Sequence, residues 1–83
     1  MTPEQTELII LGEMGKAPGE CLTPEPSLYS FVNLMADEPL SLTEFRGRLN
    51  ALEEKRQAVS ARHEGILKWK ITANGRARLA ENS

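Results

Sequence analysis

Apolar positions recur along this chain with two different periods, and the change of period divides it. Through residue 56 they return every three or four positions, as on one face of a helix. Thr2-Pro3-Glu4-Gln5 reads as a helix start: Thr2 can cap, Pro3 suits the first helical position, and Gln5 stands three residues after the cap. Leu8, Leu11 and Met14 are then expected on the core side, with Ile9 and Ile10 alongside, giving a helix over about 3–15 that Gly12 and Gly15 weaken. Residues 16–26, rich in Gly and Pro, are expected to form a loop, and a second helix is expected over about 27–37 with Leu28, Phe31, Val32 and Met35 on its stripe. Ser41-Leu42-Thr43-Glu44 has the form of a capping box, and Leu42, Phe45, Leu49 and Leu52 form a stripe for a third helix over about 42–56.

Beyond residue 56 the period becomes two. Val59 and Ala61 alternate with polar or small neighbours, and Leu67, Trp69 and Ile71 alternate with Ile66, Lys68 and Lys70. This predicts a hairpin with strands at about 57–62 and 66–72. Residues directly opposite share a face, so a three-residue loop His63-Glu64-Gly65 is expected, pairing Ala61 with Leu67 and Val59 with Trp69. The outer face would then hold Ala58, Ser60, Arg62, Ile66, Lys68 and Lys70. Thr72 can cap a closing helix over about 73–81, with Leu79 facing inward. The fold class expected is mostly α with a small β-hairpin (α+β), within a single domain spanning residues 1–83.

Composition narrows the function classes. The 83 residues are 40% hydrophobic and 27% charged, as in ordinary globular proteins. The longest apolar run, Leu8 to Leu11, is far short of a membrane span, and no basic-then-apolar signal segment opens the sequence, so a reducing cytoplasmic setting and no membrane partner are expected. The lone Cys21 cannot form an internal disulfide or a two-cysteine metal site, and it stands beside Glu20 with no activating base. His63 reads as a solvated loop residue. No nucleophile–base pair, phosphate-cradling glycine loop or metal cluster is legible, so neither an enzyme nor a cofactor is expected.

Net charge is −2, but it is unevenly spread. Residues 1–42 carry seven acids and one base; residues 43–83 carry nine bases and five acids. Such an asymmetry can produce a local field that the whole-chain charge conceals.

Two phrases in the second half resemble known ones. Arg48-Leu49 and Leu52-Glu53-Glu54-Lys55 resemble the end of the recognition helix in bacterial winged-helix regulators, although Arg56 stands where a glycine is usual. Thr72, Gly75, Arg76 and Leu79 match the phrase that closes the wing in MarR- and PadR-type families. The resemblance covers about residues 40–80 and implies a winged helix-turn-helix domain: three helices, a two-stranded antiparallel wing and a short C-terminal helix. Two departures stand against it. The first two helices are joined by a long Gly/Pro loop, where many such regulators have a short strand-bearing connection, and the extra helices with which MarR-like proteins dimerise are lacking.

The resemblance implies duplex DNA as partner and a role as a small transcriptional or prophage regulator, with the third helix in the major groove and the wing on the backbone. Stepping about 100° per residue, the face of that helix opposite the core holds Thr43, Gly47, Asn50, Ala51 and Glu54, with Arg46 on one flank and Arg48 and Lys55 on the other. Arg46 and Asn50 suit base edges, Thr43 and Arg48 suit phosphates, Gly47 allows close approach, and Arg62, Lys68 and Lys70 would add grip from the wing. The competing reading is a winged-helix adaptor that docks a protein without binding DNA. A homodimer would suit DNA binding, because single small modules bind weakly and symmetric half-sites are the usual remedy, and a third reading is a domain whose partner is another copy of itself.

Overall fold

The computed structural model describes residues 2–17 and 21–82. Residues 18–20, at the centre of the predicted loop and including Glu20, lie outside the described residues, as do 1 and 83. The elements are α1 (Pro3–Gly15), β1 (Thr23–Pro24), α2 (Glu25–Met35), α3 (Leu42–Glu54), β2 (Ala58–His63), β3 (Ile66–Ile71) and α4 (Ala73–Glu81). They make an α+β domain of four helices and an open three-stranded antiparallel sheet in the order β1-β3-β2. The sheet therefore has one strand more than the hairpin expected from sequence. Thr23 and Pro24, inside the predicted loop, pair with Trp69 and Lys68 on the free edge of β3. Two residues show no period, which is why this strand is invisible to pattern reading.

Local chemistry explains where the helices begin. Thr2 and Gln5 make a full reciprocal capping box on α1, at 3.1 and 2.9 Å. Ser41 Oγ accepts from Glu44 N at 3.1 Å to cap α3, but among the described residues the Glu44 carboxylate makes no return bond. Thr72 caps α4 by accepting from Gly75 N.

The end of α3 is equally specific. Arg56 adopts φ 60°, Arg56 N donates to Glu53 O, and Gln57 N donates to Leu52 O at 2.9 Å. This is a Schellman closure with an arginine in the left-handed position that favours glycine. It stops α3 at Glu54, two residues short of the expected end.

The core gathers Ile10, Leu11, Met14, Leu28, Val32, Leu40, Phe45, Leu49, Leu52, Ala58, Trp69 and Ile71. Tyr29 packs on it, its ring 5.1 Å from that of Phe45, and its hydroxyl donates to Leu40 O at 2.6 Å. Asn33 Oδ1 accepts from Leu40 N, so α2 clamps both backbone groups of the residue that leads into α3. Leu8 is only half-buried, and Phe31, Met35 and Leu42, expected on core stripes, are exposed. So small a domain cannot cover every apolar position of three helices.

The hairpin differs most from expectation. Its loop has two residues, Glu64 at φ 52° and Gly65 at φ 80°, the positive pair that a tight hairpin turn requires. Ser60 faces Trp69, Arg62 faces Leu67 and Ala61 faces Lys68, so every β2 side chain is on the face opposite to the one predicted. Ala58 is buried and Val59 exposed. Only the first residue of β2 reaches the core. Beyond it, Ser60 donates through N and Oγ to Glu53 Oε2 at 3.2 and 2.8 Å, so polar bonds, not apolar burial, seat this strand against α3. His63 is the last residue of β2, not a loop residue.

Candidate nucleic-acid interface

The third helix presents most of its residues as the angular reading places them, Leu42 (exposed) and Ala51 (half-buried) being the exceptions. Phe45, Leu49 and Leu52 are buried, and Thr43, Gly47 and Asn50 are exposed. A Cβ built on Gly47 would meet nothing within 4 Å, so this face is open. Its two flanks are very different.

On one flank, Arg46 Nε donates to Glu25 Oε2 at 3.2 Å while its side chain stays largely exposed. The other oxygen of Glu25 accepts from Trp69 Nε1 at 3.2 Å. Glu25 opens α2, so one carboxylate ties α2 to α3 and β3. Arg46 and Arg62 line the same groove as Glu25 itself, together with Pro26, Gly65, Ile66 and Leu67. Arg62, placed by sequence on the outer hairpin face with Lys68 and Lys70, is on the face turned toward α3. Its nearest polar contact is a long one, Nη1 to Gly65 O at 3.5 Å. Lys68 and Lys70 lie on the opposite face, with Val59, Ala61, His63 and Ile66. The structure therefore brings Arg46 and Arg62 to one groove, leaves Thr43, Gly47 and Asn50 exposed along α3 with Gly47 bordering the groove of Arg48, and places Lys68 and Lys70 on the opposite face of the hairpin.

On the other flank the cations are engaged. Glu7 of α1 is almost fully buried, and its two oxygens take three partners at 2.8 Å: Arg48, Lys55 and Arg78. Arg78 also donates to Gln57 Oε1 at 2.8 Å. Burial alone would raise the Glu7 pKa. The hydrogen bonds and charges of Lys55 and Arg78 outweigh it and hold the carboxyl below its ordinary value. Arg48, expected to hold a phosphate, is thus turned inward to a carboxylate, because a buried charge without partners is far costlier than an exposed arginine without one.

Glu7 is the residue that sequence reading missed. Its signal was present: positions 7, 10, 11 and 14 fall on one helical face, and the structure buries all four. Two further acids modify the interface. Glu53 is tied to Ser60, and Glu44 lies beside Gly47 and Arg48 in a groove against α1. Cys21 is exposed and unpaired. No helix among the described residues is long and apolar enough to cross a membrane. Comparison with family models, curated proteins and solved structures gives no match to this chain.

Proposed function

We propose that this protein is a winged-helix DNA-binding module that sets α3 in the major groove of duplex DNA and holds the backbone beside it, as a small transcriptional regulator. The observation that carries the reading is the convergence of Arg46 and Arg62, from α3 and the hairpin, on one groove beside the open helix face of Thr43, Gly47 and Asn50. Positive side chains flanking a helix with small and amide residues at its centre suit a polyanion whose bases are read between its phosphates. Asn50 is suited to adenine, and Arg46 to guanine or to a neighbouring phosphate. The two-residue pairing of β1 with β3 supports the reading, since such regulators carry a strand between their first two helices, although the connection here remains long.

The contact is narrower than the charge count suggests, because Glu7 alone engages three of the nine bases of residues 43–83. Fluorescence anisotropy of a labelled mixed-sequence duplex, titrated from about 50 to 200 mM salt, tests the reading. With two arginines on phosphates, log K falls against log salt with a slope of about −2. Gly47→Glu puts bulk and negative charge at the centre of the face while improving helix propensity. It is expected to weaken binding at least tenfold with the fold intact by circular dichroism. Salt-independent binding, no binding at the lowest salt, or a Gly47→Glu variant that binds as well as the parent overturns the reading.

A further inference from the structure

One carboxylate stands inside the groove that Arg46 and Arg62 line, and it is anchored there. Glu25 is buried in the first turn of α2, where the helix dipole favours its charge. Its Oε1 accepts from Nε1 of Trp69, a core residue only 2% exposed. Its Oε2 meets Arg46 through Nε alone, at 3.2 Å. Among the described residues neither Nη atom of Arg46 has a partner, and most of the side chain is in water. The acid is fixed, and the arginine is held at its neck with the two-pronged end of the guanidinium left over.

We infer, resting on the DNA-binding reading above, that Glu25 is a positioning residue: it makes Arg46 a reader of guanine and keeps it off phosphate. Two effects act together. A bond at Nε leaves the Nη1–Nη2 edge as a free pair of donors, and guanine offers O6 and N7 as a matching pair of acceptors. A phosphate also matches that pair, but it brings a negative charge beside a carboxylate anchored in the same groove, and like charges so placed repel. A guanine edge is neutral and meets no such repulsion. Arg62 alone of the two arginines is then left for the backbone, so the salt slope of the parent is about −1 rather than about −2. Asn50 stands one turn beyond Arg46 on α3 and makes no bond to Glu25. Its preference for adenine is therefore independent of Glu25 and serves as an internal reference.

The test is selection from duplexes with a randomised centre, then anisotropy on the selected duplex and on its single-base substitutions. The parent is expected to select a guanine at one position and to bind it at least about tenfold better than the substituted duplexes, a preference that Arg46→Ala abolishes. Glu25→Gln keeps the shape of the side chain and an acceptor for Trp69 but removes the charge. It is expected to bind mixed duplex about threefold tighter, with a salt slope steeper by about one unit. Its guanine preference should fall to about threefold or less, with the adenine preference unmoved. Glu25→Asp keeps the charge and withdraws it from Arg46 by one methylene, so it is expected to weaken the guanine preference with no gain on mixed duplex. Near-UV circular dichroism of Trp69, the single tryptophan, checks the packing of both variants. A Glu25→Gln variant with full guanine preference overturns the inference, as does a parent that binds duplex with no guanine preference dependent on Arg46. Loss of the guanine and adenine preferences together in both Glu25 variants makes the acid merely structural and overturns it too. A parent that binds no duplex at the lowest salt overturns the DNA-binding reading itself, and the role of Glu25 falls with it.

Discussion

Arg46 and Arg48 stand two positions apart on α3, and their surroundings give them different work. Arg48 reaches across to a carboxylate shut inside the helical layer, where it shares Glu7 with Lys55 and Arg78. Arg46 lies over a groove, held by one contact to a carboxylate that Trp69 also holds, and most of its surface meets water. The same functional group therefore serves architecture on one edge of the helix and stays accessible on the other. The lesson is that counting cations overstates a binding surface. Both arginines meet a buried acid, and what separates them is how much of the side chain stays in water, 60% for Arg46 against 34% for Arg48.

The largest blow to this contrast is Glu7→Gln. It keeps the shape but leaves three cations around a neutral group, and it is expected to cost about 3 kcal/mol in urea unfolding, the low end for a broken buried network because two of the cations reach solvent. A loss below about 1 kcal/mol would mean that the cluster is ornamental. The same group sets a pH dependence. Its carboxyl is held below its ordinary value in the folded chain, so its contribution is fully present above the unfolded value of about 4.3 and is lost as pH falls through the folded one. The stability gap between parent and Glu7→Gln should accordingly narrow on acidification below about pH 4.

Next in size is the paired substitution. Arg46→Ala is expected to cost about 1–3 kcal/mol of DNA affinity and less than about 1 kcal/mol of stability. Arg48→Ala is expected to reverse the pattern, with about 1–2 kcal/mol lost from folding and the salt slope unmoved. Equal effects of the two on binding would erase the distinction between the edges. The hairpin extends the comparison to its own two faces. Arg62→Ala should lower the salt slope by about one unit, whereas Lys68→Ala, on the face turned away from α3, should leave it as it was. The smallest effect lies at the end of α3. Arg56→Gly removes a left-handed arginine, and thermal unfolding should show a gain of up to about 1 kcal/mol after the entropy of the glycine is counted.

How much of this was legible depended on the range of the cause. The Thr2 and Ser41 caps, the helix starts that follow from them and the closing helix after Thr72 rest on neighbours three or four residues apart, and reading the sequence recovers them. The phrase around Thr72 and Gly75 also finds a structural reason. Thr72 N donates to Gln57 O and its hydroxyl to Arg56 O, while a Cβ on Gly75 would stand 2.3 Å from Gln57 O. Those residues lock the turn before β2 to the start of α4.

The hairpin register was misread because alternation in β2 is weak, with only Ala58 buried, and the left-handed pair Glu64-Gly65 settled it instead. The candidate site was legible as a helix face, since Thr43, Gly47 and Asn50 are exposed where 100° steps put them. It was not legible as a charge surface. The partners of Glu7 are 41, 48 and 71 residues away in the chain, and nothing local to Arg48 announces them.

That span has a consequence for the halves of the molecule. The acidic front contributes the anion at the centre and the basic rear contributes every cation around it, while residues 37–39 between them are exposed. Nicking the backbone there would yield two peptides of opposite sign that carry complementary pieces of a single knot. Reunion of such fragments would have to rebuild both that knot and the apolar core the halves share, Ile10, Leu11, Leu28 and Val32 from the front with Phe45, Leu49 and Trp69 from the rear.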